Sequence, residues 1–430
     1  MSAAQSETTL EAKLEALQCH FTWDLEPIRY RLLRLRDNLE DIGTEEGNSW
    51  LGHIYNLQGY IHYQLGFIDK ARSFFSRAAE AFRQMRNTVS DEGPWLVVNY
   101  GNKAWLHYHQ GERAETQACL SKVDELMKEY PSPSQDELHP EIYAEKAWTL
   151  MKFGPDKKLL AADCFQRAIR MQPDMVEWQT SHVLALVNPF KYLGDDILEK
   201  MKIAQEHDPE NLYLAALYLE ARAAKGQRIE GEARELAERV LKKPANSYSG
   251  IEPLLRMYRR LSMDEAIDLA ERALKRHPDN RYLKRRAAVC YEKRIFSESG
   301  SPLENSRVDR AISLLREVIS LYPDNSLRKQ ISLANIYGWS NRREAADQIY
   351  EEQLKSELDP AGMLHNCYAK YLYFIHKDSH KSIEYHMKAA AKPHQSFYRE
   401  SSISELEKIK DKNRHPMCGQ IRKFLANLQH

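Results

Sequence analysis

The chain of 430 residues lacks net charge, because 62 Lys and Arg stand against 62 Asp and Glu. That balance argues against a histone-like protein that holds polyanions by net charge alone, although a protein can still sort its charge into separate faces. Glycine and proline are scarce, 17 of each and together about 8% of the chain, too few for an all-β protein full of tight turns. The six cysteines (Cys19, Cys119, Cys164, Cys290, Cys367 and Cys418) form no C-x-x-C pair, and no N-x-S/T sequon with an allowed middle residue occurs. No apolar run reaches the roughly 18 residues a membrane helix needs, and the start MSAAQSETTLEAK has no signal-peptide core. Together these absences predict a reduced, soluble, cytoplasmic protein without a membrane partner.

Catalytic patterns are missing as well. There is no P-loop, no G-x-G-x-x-G after a strand, no H-E-x-x-H and no G-x-S-x-G. His415 and Cys418 are a lone pair, better explained by a helix end than by zinc, and His107 and His109 point to different faces of one helix. The expectation is a binding protein with no enzymatic step, no metal and no cofactor.

What is present is core and repetition. Hydrophobic residues make up 43% of the chain and aromatics 10%, which excludes wholesale disorder. Gly59, Gly66, Ala71, Phe75 and Ala78 fall at positions 8, 15, 20, 24 and 27 of a unit with the roughly 34-residue tetratricopeptide period. Small residues at 8 and 20 let two antiparallel helices approach, and the large one at 24 fills the gap beside them. Ala104, Gly111, Leu120 and Val123 repeat the frame, as do Ala147, Gly154 and, after an insertion, Ala161, Phe165, Ala168 and Pro173. Later units are marked by Ala204 with Pro209, by Ala233, Ala237 and Val240, by Ala266, Ala270 and Ala273, and by Ala311, Leu315 and Val318. Ala345 with Ile349 and Ser382 with Ala389 suggest two more. The exits QPD, DPEN, HPDN and YPDN end one helix and supply a cap for the next. The predicted fold is an all-α helical solenoid of tetratricopeptide repeats. Residues 1–50 read as preceding helices, 51–242 as an array of about five units, 243–397 as about four more, and 398–430 as a charged helical tail. KPANSYSG (243–250) reads as a hinge, and 296–309 as a loop splitting the seventh unit.

The first helix of each unit lines the concave face. In the third unit that places Trp148 one turn from Lys152, a stacking plate beside a point charge, as a nucleobase and its phosphate require. Packing between units is the competing role for Trp148, and likewise for Trp105, Tyr108 and His109 of the second unit. Charge is segregated: Arg256–Arg286 holds ten basic and five acidic residues, whereas residues 1–50 hold five basic and ten acidic. Arg256, Arg259 and Arg260 share a helical face and Arg285 falls at an inward position, an arrangement suited to successive phosphates. A solvated face paired with nearby Asp and Glu would explain the same count. Arg272, Lys275 and Arg276 lie on a second helix and read as outer surface.

Three segments taken together, CHFTW (19–23), GNKAWLHYHQG (101–111) and HPEIYAEKAWTLMKFG (139–154), resemble the interferon-induced proteins with tetratricopeptide repeats, and MYRR (257–260) and AVCYEK (288–293) follow in the same order. The resemblance implies a cytosolic antiviral effector whose helices wrap a positively charged tunnel. It would hold the 5′ end of single-stranded foreign RNA, a 5′-triphosphate or a cap lacking 2′-O-methylation, and block its translation, with related family members or translation factors as further partners and no DNA. By motif, Trp148 matches the tryptophan that stacks on the cap, Lys152 a basic contact in the same helix, Leu184 an aliphatic residue beside the cap pocket, and Arg259 a tunnel arginine. Arg31 stands near a family arginine of the N-terminal helix. The sequence departs from the family at Asn188 and Lys158, where an arginine and a tyrosine are usual, at Arg285 and Arg286, which replace His-Gln, and at IEPLL before the YRR helix. These departures imply a phosphate pocket rebuilt with different basic residues. The chain also ends early against many relatives, which bears on oligomerisation through a last repeat.

A protein scaffold or co-chaperone is the alternative. A carboxylate clamp needs Lys and Asn at set concave positions of three successive units; here Asn56 and Asn102 occupy two positions, but Tyr60 breaks the set.

Overall fold

The computed structural model describes residues 3–43, 50–86, 93–187, 194–297, 304–355, 361–393 and 396–428. Among them no strand occurs. The chain divides into two compact units, Met1–Arg260 and Leu261–His430.

The first unit runs α1 (Ala3–Glu15), α2 (Arg29–Glu40), α3 (Leu51–Gln64), α4 (Ile68–Arg86), α5 (Leu96–His109), α6 (Arg113–Glu129), α7 (Pro140–Leu150), α8 (Pro155–Met171), α9 (Val176–Leu186), α10 (Asp195–His207), α11 (Leu212–Ala224), α12 (Glu230–Lys242) and α13 (Ile251–Leu261). From α3 to α12 these pack as successive helical hairpins. The repeat frame operates physically as its spacing predicts. A Cβ on Gly59 would sit 2.4 Å from the Phe75 ring, so only glycine lets α3 and α4 approach that closely. Phe75 and Phe165 are fully buried, as are Ala71, Ala104, Ala147 and Ala161. Gly66 and Gly111 turn the chain between hairpin helices at φ +87° and +74°, backbone that side chains resist.

The second unit runs α14 (Met263–Arg276), α15 (Arg281–Ser297), α16 (Asn305–Leu321), α17 (Leu327–Trp339), α18 (Arg343–Lys355), α19 (Ala361–Tyr371), α20 (Ser379–Ala390), α21 (Phe397–Lys412) and α22 (Cys418–Leu428), with a π-helical turn Leu372–His376 after α19. The predicted loop does separate α15 from α16, although 298–303 lie outside the described residues. In α18 the frame is shifted by one position: Ala346 and Tyr350 are fully buried where Ala345 and Ile349 were expected. The shift follows the large residue, because the Tyr350 ring packs on Tyr368 and Tyr371 and its hydroxyl donates to Asn335 Oδ1 (2.8 Å).

The repeat exits behave unequally. Asn211 of DPEN and Asn280 of HPDN cap the next helix, accepting from the amides of Leu214 and Leu283 at 3.0 Å. YPDN instead forms a 3-10 turn, Pro323–Asn325, and in QPD the cap position falls to Met175.

CHFTW does not lie outside the array. Cys19, His20 and Trp23 are buried against the first repeats, and Phe21 stacks on Trp105 (6.0 Å, 12°). KPANSYSG, expected as a hinge, is instead a docked strap: the Ser247 amide donates to Asp41 O (3.0 Å) and Gly250, at φ +86°, lies so close to Leu212 that a Cβ would meet its carbonyl oxygen at 2.6 Å.

Candidate nucleic-acid interface

Pro140 starts α7 with the fixed φ that suits a first helical position, and α7 carries Trp148 and, one turn on, Lys152. Trp148 is only 2% exposed. Its indole is stacked with Trp50 at 5.9 Å and 15°, and the Lys152 ammonium lies 4.3 Å from its ring centroid. Lys152 also donates to Tyr248 Oη and sits 5.1 Å from that ring. The strap delivers Tyr248 through an Asx turn, in which the Tyr248 amide donates to Asn246 Oδ1 (2.9 Å). Tyr213 then packs edge-on against it at 5.5 Å.

Lys152 forms no ion pair with any described residue, and burial lowers its pKa to about 7. Lys158 is lowered too, by burial first and then by the charge of Lys152. It donates to Val187 O (2.9 Å) at the end of the helix bearing Leu184. Leu184 is half-buried beside a cluster that includes Val183, Met201 and Leu214, against which Tyr213 also packs. Two lysines that pair with no carboxylate among the described residues thus share a region walled by aromatic and aliphatic side chains. Chemically, that is a place for an anion attached to a flat apolar group. Asn188, a site of departure from the family pattern, lies outside the described residues.

The arginines are arranged differently. Glu220, 7% exposed, accepts from Arg256 Nε (2.6 Å) and Nη2 (2.5 Å), and Arg260 Nη1 lies 3.5 Å from the same carboxylate. Arg259 is half-buried and makes no hydrogen bond or ion pair with a described residue. Arg31 is exposed on α2 and donates to Tyr30 Oη (3.3 Å). In the second unit Arg285 lies 5.0 Å from the Tyr322 ring centroid, with Arg281 at 4.1 Å, and Arg286 lies 4.8 Å from that of Tyr282. Arg272 and Lys275 are exposed, and they line a surface cavity of about 530 Å³ with Lys284, Arg310, Glu271 and Glu317. Most of its charge is cancelled locally, by Lys284 with Glu317 (2.9 Å) and Arg310 with Glu271 (2.8 Å).

The concave polar residues of the first repeats are committed internally. The His20 amide donates to Asn102 Oδ1 (3.1 Å) and Asn102 Nδ2 to His20 Nδ1 (3.1 Å), so the neutral ring carries its proton on Nε2 and donates it to Thr149 Oγ1 (3.1 Å). Burial lowers the His20 pKa to about 3. Asn99 donates to Asn56 Oδ1 (2.7 Å), and Asn56 to Glu145 Oε1 (2.8 Å). Burial, aided by Glu141, pushes Glu145 up to about 8. Asn56 and Asn102 are therefore unavailable to a peptide carboxylate, and Tyr60 is buried against His20 and Phe21. His109 accepts or donates to Tyr63 Oη (2.7 Å) while its neighbour His107 pairs with Glu112. His415 accepts from the Met417 amide (3.2 Å) as a helix-end residue.

Sequence reasoning missed Tyr248, Trp50 and Glu220. A tyrosine in a Pro-Ser-Gly segment is costly to leave in water and must pack somewhere, and the lone glutamate in the Ala/Leu-rich run LYLAALYLEARAA needs a buried partner.

No protein-family model matches the chain. It is 25% identical over 419 residues to the human interferon-induced protein with tetratricopeptide repeats 2, spanning 94% of this chain and 88% of that protein. It is 26% identical over 433 residues to the antiviral innate immune response effector IFIT1 of Macaca fascicularis, spanning 95% and 89%. A monomeric mutant of IFIT1 with Gppp-AAAA matches at a TM-score of 0.67 and 22% identity, over 98% of this chain and 97% of that one. The human IFIT1 dimer with PPP-AAAA matches at 0.64 and 23%, over 98% and 96%. The chain is thus similar, over nearly its whole length, to the interferon-induced proteins with tetratricopeptide repeats, and it shares their helical-repeat fold. No helix among the described residues is long and apolar enough to cross a membrane.

Proposed function

We propose that the chain is an RNA-binding effector of antiviral defence. It takes the 5′ end of single-stranded foreign RNA, bearing a 5′-triphosphate or a cap without 2′-O-methylation, and blocks translation of that RNA in the cytoplasm without an enzymatic step. The observation that carries the reading is Lys152, an ammonium with no carboxylate partner among the described residues, held between the Trp148 and Tyr248 rings. A protein does not ordinarily leave a desolvated cation uncompensated, because the charge costs free energy until an anion arrives. Lys158 reinforces the positive field, and Arg259, which pairs with no described residue, offers its donors to the following phosphates. Leu184 lies on the aliphatic side of the site, whereas Arg256 and Arg260 shape it through Glu220. A free single-stranded end suits this chemistry, since its base and phosphates are presented separately.

The kinship supports the same reading, because the matched IFIT1 structures carry capped or triphosphate oligonucleotides. The committed Asn56 and Asn102 remove the basis for a carboxylate-clamp co-chaperone. The deciding measurement is a gel-shift panel on one short RNA with hydroxyl, monophosphate, triphosphate, cap or 2′-O-methylated cap ends, with a duplex control. Selective retention of triphosphate or unmethylated-cap RNA is expected. Failure to bind any of them overturns the reading in favour of a protein scaffold.

A further inference from the structure

The second unit carries a cavity that the RNA-binding reading leaves unused. Its walls are the second helices of two successive repeats, α14 and α16. From α14 come Glu271, Leu274 and Lys275, with Pro278 just beyond the helix end, and from α16 come Arg310, Leu314 and Glu317. Each series keeps the spacing of a single helical face. Charge and apolar surface are sorted along it. Glu271 takes a bidentate pair of bonds from Arg310 (2.8 and 2.9 Å) at one end, and Glu317 meets Lys284 of α15 (2.9 Å) at the other. The buried Leu274 and Leu314 stand between them in sequence. Arg310 and Glu317 are two helical turns apart, so the two bridges lie about 10 Å from each other at ~1.5 Å per residue.

The bridges do not exhaust the positive charge, because the lining holds four cations against two carboxylates. Lys275 is exposed and makes no hydrogen bond or ion pair with a described residue. Arg310 has spent two of its N–H groups on Glu271, out of the five a guanidinium carries.

This lining selects among ligand classes. A polyphosphate or an RNA backbone would crowd several negative charges against Glu271 and Glu317, which costs free energy. It would also leave Leu274, Leu314 and Pro278 without an apolar partner. A wholly apolar peptide would gain nothing from Lys275. Single carboxylates spaced along a peptide can each address one cation, while apolar side chains between them cover the leucines. An extended chain advances ~3.3 Å per residue, so three steps span the ~10 Å between the bridges. Two apolar residues with a carboxylate on either side match that length.

We propose that the cavity between α14 and α16 is a docking site for a partner protein, which lays into it a short extended segment of two apolar residues flanked by carboxylates. The proposal is independent of the RNA-binding reading.

The test uses the full chain and the fluorescein-labelled peptide EELLEE, with QQLLQQ and EESSEE as controls, read by fluorescence anisotropy, with folding checked by thermal melting. The wild type is expected to bind EELLEE saturably and each control about tenfold more weakly. Lys275→Glu should weaken EELLEE about tenfold, since it removes one surface attraction and adds a repulsion of similar size. Lys275→Gln, which only deletes the charge, should cost about threefold. Both variants should melt with the wild type, and an unlabelled 5′-triphosphate RNA should not displace the peptide. No binding of EELLEE, equal binding of either control, or unchanged affinity in both variants overturns the proposal. Displacement by the RNA also overturns it, because the cavity would then belong to the RNA path.

Discussion

The Trp148 pocket and the arginine-rich segment 256–286 handle positive charge in opposite ways. By composition the arginine segment is the conspicuous one, ten basic residues against five acidic. Much of that charge is compensated on the spot: Glu220 holds Arg256 and Arg260, Glu317 holds Lys284, and Arg281 and Arg285 lie over Tyr322. Around Lys152 no excess shows in the sequence, yet its ammonium has no counter-charge among the described residues and a pKa lowered to about 7. Uncompensated charge, rather than counted charge, marks a place for an anion. Arg259, like Lys275, has no such partner among the described residues.

Three perturbations separate the two modes. The largest effect should come from Arg256→Met, which leaves Glu220 buried without its bidentate partner. Allowing for the partial exposure of Arg256, unfolding in urea should register a loss of about 2 kcal/mol. An unchanged midpoint would mean that the pair is not structural. Lys152→Met should do the reverse, leaving stability equal or higher while weakening RNA about tenfold, or about 1.4 kcal/mol. Its pH behaviour is diagnostic. Below pH 7 the ammonium is already charged in the free protein, so its contribution to affinity is flat; above 7 binding must take up a proton, so affinity falls by at most about one decade per pH unit. Titrating the same RNA against wild type and variant cancels the phosphate's own ionisation, and parallel profiles would remove Lys152 from the site. The smallest effect is expected for Arg259→Gln: a several-fold loss for every 5′ end, with the log-log salt slope reduced by about 0.7, as for one phosphate of a single strand. A slope identical to wild type would place Arg259 away from phosphate.

The fold was legible where the information is local. Gly59 opposite Phe75 and the capping Asn211 and Asn280 are fixed by spacing within one repeat, and each behaves as its position requires. The one-residue shift in α18 shows where that logic fails, since Tyr350 takes the buried position because of neighbours on the next helix. The site was half legible. Trp148 and Lys152 were visible as an i, i+4 pair. Tyr248, which joins them from 96 positions away, was hidden because the strap's path depends on the Asp41 carbonyl and the Leu212 backbone rather than on any periodic signal.

The burial of CHFTW has a consequence for how the first repeats hold together. In an ideal repeat array each module meets only its neighbours, so stability adds up step by step and segments can melt independently. His20 breaks that independence by hydrogen-bonding both Asn102 and Thr149, the latter 129 positions along the chain. A chain shortened to begin at α3 would leave the polar groups of Asn102 and Thr149 facing each other without their shared partner. The second and third repeats should therefore unfold in a single transition together with the N-terminal segment, and a slow, long-range closure should govern the rate at which this part of the protein folds.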